Sequence, residues 1–153
     1  MICTSYPTCP SDPERALCAL VADAIEGDAD GWRMLRETRR VDQLQIDFRF
    51  GMVLDDGTHI VIEGPFVATL DGVSVTVIPE TLEGVGAALA VLHRDLSDLR
   101  AWRSGALRVA VSDGGAIDVP PGDAFENWQV TLADGSRLIG LPGGGVATYP
   151  STR

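Results

Sequence analysis

The chain has 153 residues, 45% of them hydrophobic and 22% charged, with a formal net charge of −10 and a pI near 4.4. This is the balance of one ordinary folded domain, long enough to bury a core without disulfides or metal, and its acidity argues against nucleic-acid binding, which needs a basic surface. Every basic residue is Arg, so Schiff-base and lysine general-base chemistry are excluded, and the Arg-for-Lys bias with abundant Ala, Gly and Val points to a GC-rich bacterial genome.

Residues 1–10 read as an extended lead-in without periodicity. Ser11, Pro13 and Glu14 then make a helix start, a Ser cap with Pro in the first turn and a capping-box Glu. Leu17, Leu20, Val21, Ala24 and Ile25 follow at helical spacing, with Gly27 as the stop. A second helix is expected over about Asp30 to Thr38, with Trp32 and Leu35 on one side. Residues 11–40 are therefore expected to form a helical pair laid on a sheet. The three cysteines, Cys3, Cys9 and Cys18, fall in this N-terminal part with no framework spacing, so no disulfide set is expected. Neither a basic-then-apolar leader nor a run of about 18 apolar residues is found, and the chain is expected to be cytoplasmic and not membrane-bound.

From Val41 the apolar period becomes two. Four x-Asp-Gly triplets, ending at Gly57, Gly72, Gly114 and Gly135, separate short apolar runs. A type I turn closed by a left-handed Gly makes a three-residue hairpin loop. With that loop at Asp55 to Gly57, Phe50 faces Ile62 and Met52 faces Ile60. The same rule pairs Leu107 with Val119, Val109 with Ile117, Arg108 with Asp118 and Val130 with Leu138, and in the remaining hairpin it sets Val67 opposite Val75. The first and third hairpins align 57 positions apart, Met52 to Gly57 on Val109 to Gly114, which suggests a duplicated unit. Between them Leu82, Val85, Leu89 and Leu92 keep helical spacing, and a central helix is expected near residues 82–92, interrupted by Gly84 and Gly86. Val53 and Val61 on the second face of the first hairpin imply cover on both sides. The last strand, Val146 to Tyr149, follows a Pro-Gly-Gly turn.

Leu54-Asp55-Asp56-Gly57, Ile62-Glu63-Gly64-Pro65-Phe66, Val119-Pro120-Pro121, Phe125-Glu126-Asn127-Trp128 and Leu141-Pro142-Gly143-Gly144 together resemble an uncharacterised family of small acidic actinobacterial β-hairpin proteins. The resemblance covers about residues 41–149. It implies the hairpin architecture and, the family having no established activity, transfers no catalytic residue.

The expected fold is α+β: antiparallel hairpins in a bent sheet or two-sheet sandwich, with two N-terminal helices and one central helix, in a single domain over residues 1–153. No catalytic, metal or cofactor set emerges. His59 could act as a general base with Asp55 or Glu63, but His59 and Glu63 lie about 13 Å apart along a strand, and the residue reads as a half-exposed strand histidine. His93-Arg94-Asp95 reads as a polar helix end, and Arg33, Arg36, Arg39 and Arg40 as a face salt-bridged to the preceding acidic run. Asp55, Asp56, His59, Asp123, Glu126, Asn127 and Trp128 are the candidate binding residues, because rigid aromatics beside polar groups are what recognition surfaces use. The function expected is a non-catalytic protein-binding module, of which an immunity-type or antitoxin-like inhibitor of a basic partner is one form. The alternatives are a small-molecule-binding or enzymatic domain with an apolar pocket between sheet and central helix, and an accessory protein whose strand edge pairs with a copy of itself.

Overall fold

The computed structural model describes residues 25–151. Among the described residues the strands, in chain order, are β1 (Glu26–Gly27), β2 (Gly31–Arg33), β3 (Arg39–Ile46), β4 (Phe50–Leu54), β5 (His59–Ile62), β6 (Phe66–Leu70), β7 (Val73–Val77), β8 (Asp95–Trp102), β9 (Leu107–Val111), β10 (Ala116–Val119), β11 (Trp128–Thr131), β12 (Arg137–Gly140) and β13 (Val146–Tyr149), with a short helix, α1 (Val85–Ala88), between β7 and β8. All pairings are antiparallel, in the order β13-β12-β11-β5-β4-β3-β8-β9-β10-β6-β7, and the β1–β2 hairpin leans on β8. β3 is the pivot. Its first two residues pair with β8, Arg39 against Leu96 and Arg40 against Asp95, and the rest pairs with β4. The sheet folds over there, so that Phe50 of one wing meets Phe66 of the other at 5.4 Å between ring centroids.

Alternation decides which residues enter that interior. Phe50, Met52, Ile60, Ile62, Val109, Ile117, Val130 and Leu138 are completely or almost completely buried, each fully buried Ile, Leu or Phe side chain contributing about 1.5–3 kcal/mol. Their intervening neighbours Val53, Val61 and Gln129 are half-buried, so the second face of the first hairpin is only partly covered.

Three of the expected registers are observed: Phe50 with Ile62 and Met52 with Ile60, Leu107 with Val119 and Val109 with Ile117, Val130 with Leu138. The loops have the expected form. Leu54 N–H donates to Thr58 O and Gly57 N–H to Leu54 O, a pattern repeated at Val111 to Gly115 and Leu132 to Ser136. The turn aspartate also has a task of its own. The carboxylates of Asp56, Asp113 and Asp134 accept the main-chain N–H two residues on, at 2.9, 3.0 and 2.8 Å. In the β6–β7 hairpin, Val67 faces Thr76 and Ala68 faces Val75. Asp71 as well as Gly72 has positive φ there, 54° and 79°, which makes a two-residue type I′ loop and moves the register by one.

Where the described residues reach them, the helices expected from the sequence are corrected. The first, with the cysteines, lies outside the described residues except for its end, where Glu26 and Gly27 are strand. The second is strand β2 and an irregular lead into β3. Asp28 accepts the N–H groups of Asp30 and Gly31 and turns the chain into a hairpin, and Trp32 then pairs with Ala101. A single helix of about nine residues is marginal on its own, and ladder bonds to β8 outweigh it. The central helix shrinks to α1 between two 3₁₀ turns, Pro79–Thr81 and Leu89–Val91. Gly84 at φ 77° sets its start. Its inward side chains are Val85, Ala88 and Val91, while Leu82, Leu89 and Leu92 face outward. Three-residue periodicity replaced the helical period, and the buried face changed with it.

The suggested duplication has a structural counterpart. β3-β4-β5 matches β8-β9-β10, including a register shift between Val41 and Gln43 against β4 and another between Leu96 and Asp98 against β9. Asp55 N–H donates to Arg40 O in one half as Ser112 N–H does to Asp95 O in the other. The second hairpin of each half then crosses to its counterpart: β11 pairs with β5, and β6 pairs with β10.

Candidate recognition surface

The expected binding residues fall into two groups at opposite ends of the β4–β5 wing. Asp55, Asp56 and His59 stand at the β4–β5 turn, while Asp123, Glu126, Asn127 and Trp128 lie beyond the other ends of β5 and β11. Five residues of β4 separate the two ends, about 16 Å.

At the turn, Arg39 holds Glu37 at 2.8 Å, Asp56 at 3.4 Å and Asp55 at 3.8 Å. Asp56 is committed to both this cation and the Thr58 N–H. His59 is half-buried against Gly51, its Nε2 shielded without a hydrogen-bond partner among the described residues. It has no carboxylate to orient it, which is the geometry of a strand side chain and not of a general base.

At the other end Asn127 and Trp128 are structural. Asn127 is 3% exposed and its Nδ2 donates to Pro120 O. Its main-chain O accepts the N–H groups of Glu63 and Gly64, and its N–H donates to Gly140 O. A side chain at Gly64 would run into the Asn127 amide, so the Gly64 and Asn127 positions are coupled by sterics as well as by the main-chain bond. Trp128 is buried, and its Nε1 donates to Gly105 O at 2.8 Å. Asp123, Phe125 and Glu126 remain on the surface of the loop that these two residues brace.

The β3–β4 hairpin tip shares this end. Register carries Ile46 to Phe50, Phe50 to Ile62 and Ile62 to Trp128 across four adjacent strands. Phe48 projects past that row and is 76% exposed. Its turn is locked: Arg49 N–H and Nε both donate to Asp47 Oδ1 at 2.8 and 3.3 Å, and its Nη2 donates to Asp47 Oδ2 at 3.0 Å. The Arg49 guanidinium, then the Arg49 N–H, hold the Asp47 carboxyl below its ordinary range. Phe125 is 45% exposed on the neighbouring loop. Glu63, Asp123 and Glu126 are exposed at the same end of the sheet, and none forms a salt bridge among the described residues. Sequence reasoning missed Phe48 because the β3–β4 hairpin has no Asp-Gly. The Asp-Phe-Arg triplet between Ile46 and Phe50 was the available signal.

Three members of the arginine cluster, Arg33, Arg39 and Arg40, lie on strands. Arg33 lies 3.7 Å from Asp98 and Arg40 2.8 Å from Asp42, and Arg39 holds Glu37, so these three pair with carboxylates outside the preceding acidic run. Arg94 pairs with Asp71 at 2.7 Å and Asp113 at 2.9 Å, tying two hairpin turns together. A polar cleft of about 380 Å³ is lined by Glu26, Arg33, Leu35, Arg36, Ser97 and Asp98. The space between α1 and the sheet is filled by Val77, Val85, Ala88 and Val91. Among the described residues, no three His, Cys, Asp or Glu side chains gather as metal ligands, and no helix is long and apolar enough to cross a membrane.

One protein-family model matches residues 32–150, from Trp32 in β2 to the residue after β13. The chain belongs to DUF6188, a family of unknown function. No curated protein and no solved structure matches it. The DUF6188 match spans both halves of the duplicated sheet, and with them the Phe48 tip and the 120–127 loop.

Proposed function

We propose that this protein is a non-catalytic protein-binding module of the bacterial cytoplasm, and that it engages a basic partner through the end of the sheet bearing Phe48 and Phe125. An inhibitor of the immunity or antitoxin type is the form this reading takes. The supporting observation is the Phe48 tip. A large aromatic ring left 76% exposed on a turn already locked by its own ion pair loses little conformational entropy on docking, and such rings are the usual anchors of interfaces. Glu63, Asp123 and Glu126 add exposed carboxylates to the same end of the sheet on a chain of net charge −10, charge of the sign that steers a cationic surface toward the anchor.

The test is capture of partners from the native host by wild-type protein, Phe48→Ala, and the double variant Asp123→Asn with Glu126→Gln. A basic partner held by wild type should be lost with Phe48→Ala at unchanged thermal stability. With the double variant it should associate more slowly and with a flatter salt dependence. A partner that binds all three proteins alike would remove this surface from consideration.

A further inference from the structure

We infer that the β7 edge, together with the leucines beside it, is an interface for a second copy of this chain. The surface is separate from the Phe48 end and does not depend on the reading given to it. In the two-residue hairpin, alternate residues of β7 bond to β6, which leaves the main-chain N–H and C=O of Ser74 and Thr76 directed away from the sheet. The duplicated halves make that edge conspicuous. In the other half the corresponding strand, β12, is covered along its outer side by β13. Beside β7 the chain supplies only a fragment of such cover: Ile78 bridges Glu83, and Gly84 sits against the Thr76 carbonyl. The stretch from Gly72 to Thr76 is left without a neighbour strand among the described residues.

Apolar side chains surround this gap. Val73 is 61% exposed, Leu82 55%, Leu89 45% and Leu92 37%, and the Arg94–Asp71 ion pair brings the end of the α1 segment next to the β6–β7 turn. None of the usual guards of an edge strand is present, because Val73–Val77 carries no charge, proline or bulge.

Charge selects the occupant. Two molecules of net charge −10 repel, yet no charged residue occurs between Asp71 and Glu80 or between Glu83 and His93, and Asp71 is paired with Arg94, which it shares with Asp113. Here two copies can meet without opposing their carboxylates, whereas a basic partner would be drawn to the acidic surfaces elsewhere. A two-fold axis at Ser74 lets its N–H and C=O exchange bonds with Ser74 of the second copy and lets each Thr76 N–H reach the opposite Gly72 carbonyl, about four main-chain bonds. The β8-β9-β10-β6-β7 wing would then continue through both molecules.

Sedimentation velocity on the full chain tests this, with Ser74→Pro, which removes the central donor, and the double variant Val73→Lys with Thr76→Lys, which places like charges at the axis. Wild type should be a dimer at about 100 µM, with the Ser74 amide protected from hydrogen exchange. Both variants should raise the dissociation constant at least about tenfold while keeping the wild-type circular dichroism, and Phe48→Ala should remain dimeric. Three outcomes overturn the inference: a wild-type monomer at that concentration with Ser74 exchanging freely, a monomer with Ser74 protected, which would assign the edge to residues 1–24, or a dimer that survives both edge variants.

Discussion

The two halves of the sheet are built alike and finished differently. Each has a bulged strand leading into a hairpin with a three-residue loop, a backbone bond from the loop to that leading strand, and a second hairpin donated by the other half. They diverge at the hairpin tips and the outer edges. The β8–β9 tip is absorbed into the structure, since Gly105 O accepts the Trp128 indole and Ser104 O accepts the Gly145 N–H. The equivalent β3–β4 tip presents Phe48 to solvent. Likewise β12 is covered by β13, and β7 has no such outer strand among the described residues. Shared features serve folding in both halves. The unshared ones carry the two surfaces assigned above, because a repeat that departs from its twin without a packing gain has been left open to some other contact.

The largest effect expected is on the absorbed side. Trp128 and Phe66 occupy matching places in the two donated hairpins, facing Ile62 in one case and lying across from Phe50 in the other. Either one changed to Ala should destabilise the protein by about 3–5 kcal/mol in urea unfolding. Trp128→Phe keeps most of the volume but leaves Gly105 O without its donor, and should cost about 1–3 kcal/mol. If Trp128→Phe were neutral, the β8–β9 tip would not be bound to the opposite wing as described.

Smaller and equal effects are expected where the halves agree. Gly57 and Gly114 close equivalent loops at φ 92° and 100°, so Gly57→Ala and Gly114→Ala should each cost about 1–2 kcal/mol. Unequal shifts of the two denaturant midpoints would show that the loops are not under the same constraint.

The smallest effect concerns the ion pair that ties the β6–β7 and β9–β10 turns. Arg94 holds the Asp71 carboxyl below its ordinary range, first by hydrogen bonding and then by charge. A depressed folded-state value means that this contribution is present above the unfolded value of about 3.9 and is lost as pH falls through the folded one. Arg94→Gln should return the Asp71 titration followed by NMR to the ordinary range and remove that part of the acid dependence. Since the pair is at the surface, added salt should weaken it in the wild type as well. An Asp71 titration unchanged by the substitution would mean that the two turns are held by packing alone.

Local chemistry was sufficient for the hairpins. Period-two alternation together with Asp-Gly at the loop defines partner and register through contacts a few residues apart, which is why Phe50 and Ile62, Val109 and Ile117, and Val130 and Leu138 could be paired from the sequence. The β6–β7 register escaped because Asp71 adopts positive φ, a choice that the same two letters leave open. Only the tertiary structure decided the rest. β2 is a strand because β8 offers it a ladder, and α1 with the 3₁₀ turn after it buries Val85, Ala88 and Val91 because the sheet supplies the core they pack into. The candidate surface divides for the same reason. Asp55 and Glu126 belong to turns that alternate between the two ends of the strands, and Phe48 comes to the same end of the sheet as Phe125 through the order β3-β4-β5-β11, in which β11 comes from the distant half of the chain. Neighbours in that order are set by burial of the common core, a long-range quantity that no window of the sequence contains.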